Sequence, residues 1–199
     1  MSSFSAQARA VKTRAYKQRR RAETREQTRR RIVEAAVDLH SSVGPLRTTV
    51  SQIAERAGVQ RHTYYAHFPD ERSLFLACSA LALENGPLPD LEPLKLIGPG
   101  AERVRTGLSV FYNWFERNQH HAACVLRDAE THPLTREMVE LRMAPVFRKA
   151  GEILGEGLSA RSRALLLLAL DFYCWRNLSE THDVRGASAL MADAIAGLD

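Results

Sequence analysis

Hydrogen-bonding side chains cluster on one predicted face of a short segment near residue 60. Over residues 60–67, helical spacing turns Tyr64 and Phe68 towards a core, because they lie four residues apart. The residues left facing outward are Gln60, Arg61, His62, Thr63 and Tyr65. Their amide, guanidinium, imidazole and hydroxyl groups are of the kinds that contact base edges and phosphates in DNA. The chemistry that this helix offers is recognition, with Arg61 as the candidate for a bidentate bond to guanine.

The residues just upstream predict the element that positions this helix. Thr49 is a good N-cap, and Gln52, three residues later, completes a capping box. Gly58 then stands where a left-handed residue ends a helix. Between them, apolar residues recur at helical spacing: Val50, Ile53, Ala54 and Ala57. The pattern predicts a helix-turn-helix, although an ordinary pair of packed helices is an alternative that such a motif leaves open.

Positive charge is concentrated on the N-terminal side of this motif. Residues 1–31 carry eleven Lys or Arg and two acids, a net charge of +9, so the remaining 168 residues sum to −4 in a chain of +5. A local basic patch supplies sequence-independent affinity for DNA by releasing counterions. A merely solvated tail is the alternative. The arm residues that we expect to contact DNA are Arg14, Lys17, Arg19, Arg20 and Arg21.

Residues 28–75 resemble the DNA-binding head of the tetracycline-repressor-like (TetR) family of bacterial regulators. The resemblance covers about a quarter of the chain and is specific in order and spacing. Its pieces are RRRIVEAAVDLH at 29–40, Gly44, Thr48 with Thr49, IAERAGV at 53–59, TYYAHF at 63–68 and Leu74 with Phe75.

The resemblance implies a function and a set of contacts. It implies a dimer that binds double-stranded DNA at a near-palindromic operator and is released by a small-molecule effector. Thr48, Thr49, Tyr65 and His67 match positions that contact DNA in the family, mostly at phosphates. Three residues depart from the pattern. Gln60 stands where the family often has Ser or Thr, and His40 stands where it usually has a large apolar residue. Glu71 stands where the family often has a Lys, and the neighbouring Arg72 can supply the missing positive charge.

The coarse pattern predicts an all-α fold. It comprises a basic, flexible arm (residues 1–23), a three-helix helix-turn-helix head (residues 24–75) and a helical body for regulation and dimerisation (residues 76–199). Thr24 and Gln27 form a capping box that starts the first helix, which runs to about Val43. A fourth helix begins near Asp70, and residues 86–100, rich in Pro and Gly, form an irregular loop. Further helices are predicted at 101–118, 120–130, 134–155, 160–180 and 184–198.

Two further roles fall to the body. The last two helices carry apolar stripes, and the family resemblance implies that this pair forms a homodimer interface. An aromatic cluster is the predicted wall of a ligand pocket, although ordinary core packing is the alternative for each member. The pocket residues are Phe111, Trp114, Phe115, Cys124, Phe172 and Trp175. The net charge of −4 beyond residue 31 favours a neutral or cationic ligand.

Composition excludes several classes of protein. The longest apolar run, residues 164–170, is far shorter than the ~20 residues of a membrane helix, and no signal peptide is evident. Three unpaired cysteines favour a reducing compartment, and we expect a cytoplasmic location. The sequence lacks the nucleophile-elbow, Walker, dinucleotide and HExxH motifs of enzymes, so we expect no catalysis and no cofactor. His120, His121 and Cys124 lack a fourth ligand, so no metal site is expected.

Two functions fit these observations. The first is a sequence-specific transcriptional regulator, a dimeric repressor released from its operator by a small ligand. The alternative is an architectural or non-specific DNA-binding protein that uses the basic arm. A footprint on one defined sequence separates the two.

Overall fold

A computed structural model describes the backbone of residues 3–198 and the side chains of residues 16–198. Over residues 3–198 the chain forms ten α-helices and two short 3-10 turns, with no strand, so the predicted all-α class is confirmed. The helices are α1 (Ser3–Ser42), α2 (Val50–Arg56), α3 (Arg61–His67), α4 (Glu71–Asn85), α5 (Ala101–Ala129), α6 (Pro133–Arg142), α7 (Ala144–Leu154), α8 (Ala160–Ala169), α9 (Phe172–Leu178) and α10 (Val184–Ala196).

The head has its own small hydrophobic core beneath α1 to α4. Ile32 and Ala36 of α1, Tyr64 of α3 and Phe68 are almost fully buried in it. The same core extends along α4 as far as Cys78, which is buried. Because α4 runs without a break from the head core into the body, it joins the two parts physically.

The first helix begins earlier than the sequence predicts. Thr24 lies inside α1, where its hydroxyl donates to the carbonyl of Arg20 at 2.9 Å, so the predicted start at Thr24 is wrong. Residues 3–23 contain neither Gly nor Pro, and Arg19 pairs with Glu23 at 2.9 Å across one helical turn. A capping-box pattern starts a helix only where the preceding residues do not themselves continue it.

The body packs around α5, a single helix of 29 residues. The predicted break between residues 118 and 120 is absent, because no Gly or Pro interrupts that stretch. Phe111, Tyr112 and Phe115 of α5 are fully buried in the body core, together with residues of α7, α8, α9 and α10. A side chain at Gly107 would collide with Leu154, so this glycine lets α5 and α7 approach closely.

Two other predicted helices are each divided into two. The stretch 134–155 breaks at Met143, because Pro145 lacks the amide that a continuous helix requires and instead stands in the first turn of α7. The stretch 160–180 breaks at Leu170, and the carboxylate of Asp171 caps α9 by accepting from the amides of Tyr173 and Cys174. Pro133 likewise stands in the first turn of its helix, α6.

The segment between α4 and α5 is the predicted irregular loop, and it contains the 3-10 turn Pro93–Leu96. Leu91 and Leu94 anchor it in the body core. Among the helices in residues 3–198, none is both long enough and apolar enough to cross a membrane.

Candidate nucleic-acid interface

The helix-turn-helix predicted from the sequence is formed by α2 and α3. The hydroxyl of Thr49 accepts from the amide of Gln52 at 3.3 Å, and Gln52 Oε1 accepts from the amide of Thr49 at 2.8 Å, which completes the capping box. Gly58 has a φ of 64°, in the left-handed region that only glycine enters without strain. The amide of Val59 then donates to Ala54 O at 2.9 Å and closes the turn.

The outward face of α3 carries the side chains predicted to read DNA. Arg61, His62 and Tyr65 are exposed, Thr63 is half-buried, and Gln60 is the exposed N-cap of the helix. Tyr64 and Phe68 point into the head core, as the spacing predicts. In the part of the chain whose side chains are described, no ion pair engages Arg61, so its guanidinium is available to a ligand.

The basic stretch of α1 lies beside this helix. The guanidinium of Arg29 stacks over the ring of Phe68, 4.7 Å from its centroid. His67, at the end of α3, has its pKa lowered by partial burial and by the nearby cations Arg25 and Arg29. The α1 cations therefore extend the surface of α3 and make it positive.

The residues of the predicted DNA-binding arm continue along the same helix. Lys17, Arg19, Arg20 and Arg21 are all exposed, and Arg19 pairs with Glu23. The side chain of Arg14 lies outside the described residues. The arm is therefore a helical extension of the head over the residues whose backbone is described.

Three predicted DNA contacts already have partners within the chain. The hydroxyl of Thr48 donates to Gly44 O at 2.8 Å, and that of Thr49 donates to Gln52 Oε1 at 2.9 Å. Arg72 Nε donates to Glu137 Oε1 of α6 at 2.8 Å. Arg72 thus ties the head to the body, which the sequence did not reveal because Glu137 lies 65 residues away.

The comparison with known families agrees with this geometry. The family described as bacterial regulatory proteins, tetR family, matches residues 32–78, which span the end of α1, the helix-turn-helix and half of α4. Residues 32–78 are a TetR-family DNA-binding head. The chain is accordingly a DNA-binding regulator with a helix-turn-helix head. No curated protein sequence matches it significantly.

Solved structures share the fold of this chain over most of its length. The regulator FadR of Bacillus subtilis, in complex with stearoyl-CoA, has a TM-score of 0.58 at 18% identity and covers 83% of this chain and 96% of its own. A tetR-family transcriptional regulator of Streptomyces coelicolor has a TM-score of 0.58 at 19% identity, over 87% and 80%. The multidrug binding protein EbrR, complexed with imidazole, has a TM-score of 0.55 at 21% identity, over 84% and 94%.

An apolar cavity of about 80 Å³ lies where the TetR-family head meets the body. The head contributes Val37 and His40 from α1 and Phe75 and Cys78 from α4. The body contributes residues of α5 and α6, among them Trp114, His121, Met138 and Arg142. Because both parts line it, a molecule in this cavity would contact head and body together.

The aromatic residues predicted to form the pocket mostly do not line this cavity. Of the predicted set only Trp114 does so. Phe111 and Trp175 pack against Phe115 in the core, with ring centroids 6.4 and 5.5 Å from it. Phe115 and Phe172 border a separate open groove beside α7. The thiol of Cys124 donates to Ser41 O at 3.5 Å instead. Periodicity identified these side chains as buried, but it does not distinguish core from cavity wall.

Two histidines, His40 and His121, line the cavity. Burial lowers the pKa of His40 to about 4, with a smaller effect in the same direction from His121 and His132. Burial also lowers the pKa of His121, whose Nδ1 lies 2.9 Å from the hydroxyl of Ser41. Both imidazoles are therefore neutral at neutral pH. In the family this chain's His40 position is usually apolar, and the neutral ring packs on Phe75 accordingly, with centroids 5.2 Å apart.

A second polar connection joins the body to the segment before α2. Asp128 of α5 is 3% exposed and accepts from the amide of Leu46 at 2.9 Å and from Arg127 Nε at 2.8 Å. Burial opposes its ionisation, but the two hydrogen bonds together with the positive charges of Arg127 and Arg47 outweigh burial and lower the pKa of the carboxyl. Arg127 also donates to Val43 O at 3.1 Å. The end of α5 thus holds the loop that leads into the helix-turn-helix.

Proposed function

We propose that this TetR-family regulator is a homodimeric repressor that binds a near-palindromic operator and is released by a small molecule. The observation that carries the sequence-specific part is the exposed face of α3, where Arg61, His62 and Tyr65 project from a helix fixed by a buried Tyr64. In helix-turn-helix proteins the exposed N-terminal half of the second helix enters the major groove. Arg61 belongs to that half of α3, and we expect it to bond guanine O6 and N7.

The apolar surface of the body supports a dimer. Leu167 and Leu168 of α8 are 62% and 56% exposed, and Leu190 of α10 is 45% exposed. The opposite faces of the same helices, with Ala169, Ala187 and Ile195, are buried in the body core. A two-fold dimer needs one self-complementary patch, and it would place two heads about 34–36 Å apart, or a multiple of that spacing, on one face of DNA.

The position of the cavity supports release by a ligand. A molecule held between α1 and α4 on one side and α5 and α6 on the other changes the contacts that join head to body. Two such contacts are Arg72 with Glu137 and Asp128 with the Leu46 amide. Any ligand that binds the DNA-free arrangement better weakens DNA binding, typically by about 1–3 kcal/mol.

Binding-site selection from random duplex DNA tests the sequence-specific part. We expect one enriched near-palindrome for the wild type. Arg61→Ala should relax preference at one position in each half-site and weaken binding by roughly 1–3 kcal/mol. Tyr65→Phe should weaken binding to all sequences alike, since a phosphate contact carries no base information. Arg117→Ala, an exposed arginine on α5, is the control for loss of charge and should change neither.

The architectural alternative makes the opposite prediction. A protein that binds through Lys17, Arg19, Arg20 and Arg21 alone would enrich no defined sequence, and Arg61→Ala would then lower affinity no more than loss of any other single cation. Selection that returns no motif from wild-type protein would favour that alternative.

A further inference from the structure

We propose that the cavity between head and body binds a small carboxylic acid, and that Arg142 bonds its carboxylate. The proposal rests on the function inferred above, since it names the chemical class of the effector. It also reverses the expectation from net charge, because the local lining of the cavity differs from the average of the body.

The feature that carries this proposal is a half-buried arginine that lacks a counter-ion. Arg142 ends α6 and lines the cavity, and its Nε is fully buried without a hydrogen-bond partner. Its Nη2 has only a long contact of 3.5 Å to Leu76 O. Among residues 16–198 no Asp or Glu forms an ion pair with it. Burying a guanidinium N–H without an acceptor is unfavourable, because the group has lost its hydrogen bonds to water.

Two other arginines that pack into the body, Arg103 and Arg105, have carboxylate partners within the chain. Arg103 is 5% exposed and donates to Ile97 O, Ile153 O and the carboxylate of Glu156. Arg105 also has an unpartnered Nε, but its terminal nitrogens pair with Asp193 and Glu102. Arg142 is therefore exceptional among these three, and an acceptor supplied from the cavity would satisfy it as Glu156 satisfies Arg103.

The charge of the lining selects an anion. Among the residues whose side chains are described, no Asp or Glu borders the cavity, and Arg142 is the one Lys or Arg in its lining. His40 and His121 are held neutral by burial, so they add polarity without a competing positive charge. The hydroxyls of Ser79 and Thr135 are already bonded, to Leu76 O at 3.2 Å and to His132 Nδ1 at 2.8 Å. A bidentate carboxylate matches the fork of an arginine, and the rest of the ligand meets an apolar wall.

The size of the cavity limits the apolar part. A volume of about 80 Å³ holds on the order of five to eight water-sized groups, since each needs roughly 10–15 Å³. Covalently bonded atoms pack more closely than separate waters, so one aromatic ring or a short branched chain fits beside the carboxylate. The long acyl chain of a fatty acid does not fit this space.

Calorimetric titration of the full-length protein, without DNA, tests the proposal with benzoate as the probe. Benzamide and benzylamine share the ring but are neutral and cationic. We expect benzoate to bind and the two analogues to bind at least about tenfold more weakly, the ratio that ~1.4 kcal/mol corresponds to. Arg142→Gln should weaken benzoate about 10- to 100-fold and abolish the preference for the acid, because hydrogen bonds to a charged group are worth ~1.5–3 kcal/mol.

Two further variants fix the location. Met138→Trp fills the cavity from α6 and should abolish binding even though Arg142 is retained. Arg148→Gln removes a cation from the separate groove beside Phe115 and should leave benzoate affinity unchanged. Thermal unfolding of each variant without ligand shows whether it folds. Arg142→Lys keeps the positive charge but loses the bidentate guanidinium, so it should bind benzoate with an affinity between those of the wild type and Arg142→Gln.

Several outcomes overturn the proposal. The first is that neither benzoate nor isobutyrate gives a binding heat up to about 10 mM. The second is that benzamide binds with the same affinity as benzoate. The third is that the Arg142→Gln variant folds and binds benzoate as tightly as the wild type. Operator release is a separate measurement. If benzoate binds through Arg142 but leaves operator affinity unchanged, the carboxylate site stands and release by this ligand fails. If neutral compounds release the operator without regard to Arg142, release stands and the carboxylate site fails.

Discussion

The carboxylate of Asp128, near the end of α5, accepts a hydrogen bond from the backbone amide of Leu46 across 82 residues of sequence, at 2.9 Å. The acceptor belongs to the body and the donor to the short turn that precedes the helix-turn-helix. Gly44 in the same turn has a φ of 97°, and any side chain there would collide with Arg127 and Asp128. The turn therefore fits closely around a buried acid, and its position depends on where α5 ends.

Replacing this acid should destabilise the chain and loosen the head. Asp128→Ala leaves the Leu46 amide and the Arg127 guanidinium without their acceptor, so we expect a loss of about 2–3 kcal/mol in the free energy of unfolding. Urea denaturation followed by circular dichroism measures it. Asp38→Ala, which breaks an exposed pair with Arg56, is the control and should cost less than about 1 kcal/mol. Equal losses in the two variants would contradict a structural role for the Leu46 bond.

The buried His40 should make stability depend on acid. Its pKa is about 4 in the folded chain, against 6.5 when unfolded, so the unfolded state binds more protons between these values. Stability is therefore full above about pH 6.5 and falls as the pH is lowered towards 4, by roughly 3 kcal/mol from this residue. His40→Leu should flatten the decline in thermal or urea unfolding, whereas His120→Leu, on the exposed face of α5, should not. A decline of unchanged steepness in His40→Leu would assign the acid sensitivity to other groups.

The basic arm should determine the salt dependence of DNA binding. Deleting residues 1–22 should leave the selected sequence unchanged but flatten the plot of log affinity against log salt by several units per dimer, since each neutralised phosphate contributes about 0.9. Replacing Arg19, Arg20 and Arg21 with Gln removes charge while keeping helix formers, and it should produce part of the same change. Fluorescence anisotropy across a salt series measures both. A slope equal to that of the wild type would show that the arm is only a solvated tail.

The exposed apolar face of α8 and α10 should hold the dimer together. Leu190→Glu or Ala194→Glu would bury a charge in the proposed interface and should give monomers that bind the operator poorly. Leu96→Glu is a matched control, because Leu96 is 89% exposed on the Pro93–Leu96 turn, away from these helices. Light scattering gives the mass of each variant. A wild type that is monomeric at micromolar concentration would contradict the dimer.

The local features of the head were predictable because local chemistry determines them. Capping by Thr49, the left-handed Gly58 and the burial of Tyr64 each depend on residues within a few positions, and each is confirmed. The start at Thr24 failed for a related reason. Thr24 and Gln27 have the spacing of a capping box, but the residues before them also favour helix, and the motif alone does not show which of the two prevails.

The body was less predictable because its features depend on contacts between distant residues. The pairs Asp128 with Leu46 and Arg72 with Glu137 join residues 82 and 65 positions apart. Helical spacing of aromatic residues predicts that they are buried, but it does not predict what they contact. Phe111 packs against Phe115, whereas Trp114 lines the cavity. No sequence pattern singles out Arg142. Only the fold shows that its Nε is buried without a hydrogen-bond partner.

Trp114 gives this molecule a built-in optical reporter. Its indole nitrogen donates to Gly86 O at 3.2 Å, where α4 ends, and its ring borders the cavity. The chain's other tryptophan, Trp175, is enclosed in the body core. Intrinsic emission therefore combines one fluorophore that senses the cavity with one that remains shielded. A red or blue shift during titration, followed in a Trp175→Phe background, would report occupancy in real time without any attached dye.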